Sequence, residues 1–241
     1  MLEKTKGIML QQIKYTDSGI VAHLFTRSLG RRSFIIKGLR NRKSGKHNVF
    51  FQPLFILDLV FYNKESRSMP MIKEFSVSYA PGDIYANPQK SCMALFMSEV
   101  MSAVLKEESP NEDLFDYLEN AIIYFDGCSK SFVNFHISFL SGLSSYLGFQ
   151  PVTRKSAAEV YFDMINGIFT SLPPSHGNYA GEELASVLAA FFSSSYDKAL
   201  DICLTGKLRN EVLETILKYY SLHLPGLKRI NSLRVMKEIF S

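Results

Sequence analysis

The apolar residues of this 241-residue chain change their spacing once, at Ala80-Pro81-Gly82. Before that break they recur every second residue, the period of a strand with one buried face. Ile8, Leu10 and Gln12 alternate with Met9, Gln11 and Ile13. A second run covers 20–26, Gly30 supplies a turn, and a third run, 33–37, stops at Gly38. A fourth, 49–62, puts Phe55, Leu57, Leu59 and Phe61 on one face and Asp58 on the other. A fifth, 71–79, aligns Phe75, Val77 and Tyr79. After the break the period becomes helical. Asn87 with Pro88 reads as an N-cap and first-turn proline. Met93, Phe96, Met97, Val100 and Val104 then form one stripe. Ser109-Pro110-Asn111-Glu112 reads as a capping box opening a helix that ends at Gly127. A third helix spans 131–147 and closes at Gly148.

Five strands in so small a unit predict a closed barrel, with the five-stranded oligonucleotide-binding (OB) fold as its natural form. The fold class expected is therefore α+β and multi-domain. An OB barrel occupies 1–80 and an α-helical domain 81–241. The helical part is interrupted at 149–181, where Tyr161-Phe162-Asp163 and Gly167-Ile168-Phe169 suggest a small irregular hairpin. Helical patterns return at 182–194, 197–205 and 208–222, with a final helix carrying Leu233, Met236 and Ile239.

Charge is divided unevenly between these parts. Residues 1–80 hold fourteen Lys and Arg against five Asp and Glu, a net +9, whereas 81–241 carries −5. Such asymmetry points to a polyanionic partner for the basic part. The densest stretch is 37–47, between the third and fourth strands, with Lys37, Arg40, Arg42, Lys43, Lys46 and His47. Arg27, Arg31 and Arg32 lie at the turn before it. Glycine and serine would let several of these cations each reach a phosphate. Phe34, Phe50, Phe51 and Tyr15 could offer stacking faces, the combination that single-strand binders use. Each feature also has a plainer reading: a solvated loop for the cations, barrel core for the phenylalanines.

Other chemistries find little support. Gly45-Lys46 lacks the remaining residues of a phosphate-binding loop and leads into a strand. The five histidines, His23, His47, His136, His176 and His223, show no metal spacing. His136 lies in an apolar helical pattern and reads as a core or boundary residue. Glu107-Glu108 and Asp113/Asp116 read as solvated helix-end charges. No acid/base or nucleophile constellation emerges, so an enzyme is not expected. Cys92, Cys128 and Cys203 read as small buried hydrophobes. The first residues lack a signal-peptide core and no run of 18 apolar residues occurs. The expectation is a cytoplasmic protein.

Several stretches together resemble the RecO family of bacterial recombination-mediator and DNA-repair proteins. They are Lys6-Gly7-Ile8-Met9-Leu10, Thr16-Asp17-Ser18 leading to Leu24-Phe25-Thr26, Gly30, Lys37-Gly38 with its basic loop, and Gln52-Pro53-Leu54. Tyr146-Leu147-Gly148-Phe149-Gln150-Pro151 and 233–239 follow. The resemblance spans essentially the whole chain. It implies an OB barrel and a helical domain without catalysis. It further implies binding of single- and double-stranded DNA, strand annealing, and a nucleoid-associated role. RecR, and in some settings RecF, would act with it to load RecA on DNA coated by single-strand-binding protein, whose tail such proteins contact. Lys228, Arg229 and Arg234 are candidates for that protein contact; solvated charges near the last helix are the alternative. The other function considered is a generic single-stranded nucleic-acid-binding barrel without mediator activity. Many members carry a four-cysteine zinc knuckle after the Leu-Gly-Phe segment. Here 152–181 contains no cysteine, so no structural zinc and no cofactor are expected.

Overall fold

A computed structural model describes residues 1–16, 19–37, 50–63, 69–129, 132–227 and 230–240. The chain divides into two compact units. The first comprises Met1–Gly127 with Ile230–Ser232, the second Cys128–Arg229 with Leu233–Ser241.

In the first unit, strands β1 (Leu2–Thr16), β2 (Gly19–Thr26), β3 (Gly30–Ile36), β4 (Ile56–Tyr62) and β5 (Met71–Tyr79) close into a barrel of order β1-β2-β3-β5-β4. The expected five-stranded barrel is present. β1 is long because it serves two neighbours. Leu2 to Ile8 pair with β4, and Gly7 to Thr16 pair with β2. Among the described residues the only parallel strand pair, Ile35 with Met71, closes the ring. Inside lie Met9, Ala22, Leu24, Phe34, Leu57, Leu59 and Phe61. They come from alternate positions of their strands, as a filled barrel requires.

β4 starts later than the apolar run suggests. Pro53 has no amide to give a ladder. Leu54 turns the chain at φ 65°, and its amide donates to the Met9 carbonyl at 2.8 Å. Phe51 and Phe55 reach the core from this irregular segment instead of from a strand.

Three helices complete the unit: α1 (Gly82–Ala86), α2 (Pro88–Val104) and α3 (Glu112–Gly127). The Asn87 side chain caps α2 by accepting from the amides of Gln89 and Lys90, with Pro88 in the first turn. The cap of α3 differs from the expected box. Asn111 Oδ1 accepts from the Leu114 amide at 3.0 Å, so the cap lies two residues after Ser109 and the helix begins at Glu112. The Asn111 side-chain oxygen takes the capping role expected of Ser109, two residues further along the chain.

Lys90 is 1% exposed. Its Nζ donates to Asp83 Oδ2 at 2.5 Å and to the Phe125 and Asp126 carbonyls at 2.9 and 3.0 Å. A cation at the C-terminal end of α3 meets carbonyls that have no helical partner. The Asp126 carboxylate in turn accepts from Tyr79 Oη and the amides of Gly82 and Ile84. This one knot joins β5 to all three helices.

The second unit holds α4 (Phe135–Tyr146), β6 (Tyr161–Asp163), β7 (Ile168–Thr170), β8 (Tyr179–Ala180), α5 (Glu182–Ser193), α6 (Tyr196–Leu200), α7 (Gly206–His223) and α8 (Leu233–Ile239). The expected hairpin is β6–β7, and β8 adds a third strand to give the order β7-β6-β8. Phe162 is its fully buried centre, packed on Phe169, Phe192 and Tyr219. Arg209 links distant segments by donating to Asn134 Oδ1, the Leu204 carbonyl and the Phe240 carbonyl. His136 is buried against Phe240, and burial pushes it down to about 3.

The cysteines need a correction. Cys92 is buried, but Cys128 is half-buried and Cys203 is exposed. α6 ends at Leu200, so Cys203 lies in a connection and not on an apolar helical face. Among the described residues no helix is long and apolar enough to cross a membrane.

Candidate nucleic-acid interface

The cations expected to contact nucleic acid, together with those expected to contact the coat-protein tail, fall into three groups. Arg27, Arg31 and Arg32 flank the β2–β3 turn, and all three are engaged within the first unit. Arg27 meets Asp116 through two hydrogen bonds of 2.6 and 3.2 Å and Glu112 through its Nε at 3.1 Å. Those carboxylates hold the guanidinium above its ordinary value, Asp116 contributing most. It also lies 5.9 Å from the centroid of the Phe115 ring. Arg31 donates to the carbonyls of Ser102 and Leu105 at 2.5 and 3.0 Å. These carbonyls stand at the C-terminal end of α2, where a cation is favoured. Arg32 pairs with Glu108 at 2.6 Å. Lys6 on β1 extends the row through Glu119 at 2.9 Å.

Gly30 makes this seam possible. Its φ is +63°, and an added Cβ would stand 2.3 Å from the Ser109 carbonyl oxygen and 2.7 Å from that of Glu107. The Arg31 amide donates to that Glu107 oxygen at 2.9 Å. The turn thus needs glycine for its backbone conformation and for the close approach of 107–109.

Glu108, Glu112, Asp116 and Glu119 are therefore partners for barrel cations. The reading of Glu108 and Asp116 as merely solvated helix-end charges is corrected: each neutralises an arginine more than 70 residues away. The opposite charges of the two sequence regions were a signal of this. Met1–Gly127 together carry sixteen Lys and Arg against fourteen Asp and Glu, a net of +2.

Lys37 forms the second group. It follows β3 and is exposed. Arg40, Arg42, Lys43 and Lys46, with His47, lie outside the described residues, as do Lys228 and Arg229. In the third group, Arg234 on α8 is exposed, with Glu238 one turn on at 4.0 Å.

The aromatic candidates also separate. Phe34 and Phe51 are fully buried in the barrel core, and Phe50 packs against it. Tyr15 is 54% exposed. It sits where the β1–β2 register shifts between Lys14 and Thr16. A bulge of this kind inserts one residue without a partner across the ladder.

Residues 152–181, where the resemblance would put a zinc knuckle, do not offer a thiolate donor set. Asp163 organises the region instead. It accepts from the amides of Ile165 and Asn166 and from Asn166 Nδ2, with His176 Nε2 at 3.2 Å. Burial raises this carboxyl, but the Asn166 and Ile165 hydrogen bonds and His176 outweigh it, so the net shift is downward.

A closed five-stranded barrel of this order, with a helical region behind it in sequence, defines an OB-fold protein. Comparison with known proteins narrows the class. Residues 1–80 match the model of the recombination protein O N-terminal domain, and 86–234 match that of its C-terminal domain. The chain belongs to the RecO family, a family of DNA repair proteins. It is 36% identical over 241 residues to a protein of Phocaeicola vulgatus named DNA repair protein RecO, with both chains covered completely. Proteins of the same name from Bacteroides fragilis and Christiangramia forsetii are 36% and 32% identical, again over the full length of both chains.

Proposed function

We propose that this chain is a recombination mediator. It binds single- and double-stranded DNA, anneals complementary strands and, with RecR and in some settings RecF, helps load RecA onto DNA coated by single-strand-binding protein. It would do so in the cytoplasm, at the nucleoid. Membership of the RecO family supports the DNA-repair setting. The observation that carries the choice of surface is the division of the cations. Arg27, Arg31, Arg32 and Lys6 are engaged by α2, α3 and the connection between them. The positive charge left to a polyanion is concentrated at Lys37 and the sequence that follows it.

In this reading phosphates are bound mainly by Lys37, Arg40, Arg42, Lys43 and Lys46. The three arginines of the β2–β3 turn support the site by holding the barrel against its helices. Phosphate contacts carry no base information. They lower repulsion between two strands and leave base edges to pair, so annealing needs no catalytic residue. Lys228, Arg229 and Arg234 remain the proposed contact for the coat-protein tail.

The test compares wild type with the Arg40→Ala, Arg42→Ala, Lys43→Ala, Lys46→Ala variant in annealing of coat-protein-covered strands and in single-strand binding across salt. Each phosphate contact on a single strand contributes about 0.7 to the slope of log affinity against log salt. Loss of four should flatten the slope by roughly 3 and slow annealing. An unchanged slope would move the phosphate site elsewhere. Annealing of naked strands with none of coated strands would leave only a generic single-strand binder.

A further inference from the structure

The outer face of the barrel carries an apolar row in which Val21 is buried, Ile35 and Met71 are half-buried, and Ile13 at the end is exposed. Ile13 on β1 pairs with Val21 on β2, Val21 with Ile35 on β3, and Ile35 with Met71 on β5. These four apolar side chains form one row across four strands. They share a parity opposite to Ile20, Ala22, Phe34 and Ile36, which fill the interior. Ile13 is 48% exposed, and Tyr15, two residues on, is more exposed still. Where β2 and β3 face α3 the outer surface is used differently: Phe25 stacks on Phe115 there. At the Ile13–Tyr15 end an aliphatic and an aromatic side chain remain in water.

Lys37 lies at that same end. Thr16 pairs with Gly19, and the next residue, Ile20, pairs with Ile36. Lys37 therefore stands two strand spacings from Tyr15 and Thr16, about 10 Å across the sheet. Gly19 between them adds no side chain. An exposed aromatic ring on a bulge, an aliphatic floor and a cation at the root of the most basic stretch of the chain form one surface. Its occupant should bring planar apolar faces together with negative charge.

We propose that Tyr15, with Ile13 on the same strand, is a base-stacking platform that selects unpaired over paired DNA. This deepens the reading above and rests on it. In a duplex the base faces are covered by their neighbours, so only the phosphate-binding part of the site is offered a partner. A single strand presents both phosphates and base faces. Charge complementarity favours nucleic acid over an apolar protein segment here, because the exposed Lys37 stands at this end of the barrel. Stacking is tolerant of sequence, as annealing of arbitrary strands requires.

The chain contains no tryptophan, so Tyr15→Trp creates a single fluorescent reporter at the platform. Titration with oligo(dT) should quench its emission, and a duplex of equal length should do so far less. By anisotropy of a labelled oligonucleotide, Tyr15→Ala should weaken single-strand affinity by roughly 5- to 100-fold. Duplex affinity should stay within about twofold, since phosphate contacts dominate there. Tyr15→Phe, which keeps the ring, should restore single-strand binding. Tyr15 is exposed, and far-UV circular dichroism checks that each variant is folded. If wild type binds both DNAs but Tyr15→Ala loses neither and the Tyr15→Trp indole is unquenched, the platform is refuted and the mediator reading stands; the face would then belong to a protein partner. If wild type binds no DNA, the mediator reading itself fails.

Discussion

Replacing Gly30 by alanine should unseat the turn that carries Arg27, Arg31 and Arg32. Two penalties combine. At φ +63° an alanine pays about 1–2 kcal/mol for the left-handed conformation. Its Cβ would also overlap the backbone of Ser109 at 2.3 Å and of Glu107 at 2.7 Å. Backbone cannot rotate aside as a side-chain tip can, and such overpacking costs about 1–3 kcal/mol. The expected total is about 2–5 kcal/mol. Gly148 separates the penalties. It too has a positive φ, +83°, but an added Cβ there meets nothing within 4 Å. Gly148→Ala should cost only the conformational part, about 1–2 kcal/mol. Equilibrium urea unfolding followed by circular dichroism gives both values. Hydrogen exchange gives a local readout, because the Arg31 amide should lose protection along with its bond to the Glu107 carbonyl. If Gly30→Ala costs no more than Gly148→Ala and the Arg31 amide stays protected, the close approach of 107–109 to the turn is not what demands glycine.

Two further tests address the interior. Lys90→Met keeps the buried aliphatic stem but leaves the Phe125 and Asp126 carbonyls without their donor; the expected loss is about 2–4 kcal/mol, tempered because Asp83 is half exposed, and a urea midpoint unchanged from wild type would contradict it. His136 is held neutral in the fold, with its value pushed down to about 3 by burial and then by Arg209. The unfolded chain takes up that proton near its ordinary value, so stability is full above about pH 6.5 and falls as pH drops toward 3. Between pH 7 and 5 this amounts to on the order of 2 kcal/mol, and His136→Leu should remove most of that pH dependence in urea unfolding; an equal dependence in both proteins would show that His136 is not its source.

The barrel and the order of helices were legible because each rests on a local period. β1 to β5 alternate, α2 and α3 carry apolar stripes, and Asn87-Pro88 is a helix start written in adjacent residues. What was not legible depends on partners far along the chain. Gly30 reads as a turn from its neighbours, but the need for a missing Cβ comes from Glu107 and Ser109. Arg27 reads as a free cation until Asp116 is brought beside it. Pro53 is visible as a ladder-breaker, yet the turn at Leu54 is seen only once its amide finds Met9. Tyr15 and Phe34 look alike in sequence as aromatics of strands. Register alone sends Phe34 inward and leaves Tyr15 at a bulge.

The pairing of barrel arginines with α3 carboxylates has a kinetic consequence. A distant polyanion responds to summed charge, and screening confines its sensitivity to about 8 Å at physiological ionic strength. Toward it Met1–Gly127 behaves as a body of +2, not as the +9 of its first 80 residues. Long-range steering is correspondingly weak, and attraction begins only when a strand has almost arrived. Added salt then acts mostly on how long a strand stays and little on how often it comes. The annealing proposed above, in which two strands are brought together and the paired product is let go, would be served by that division: arrival is left to diffusion, and residence is set by contacts that salt keeps short.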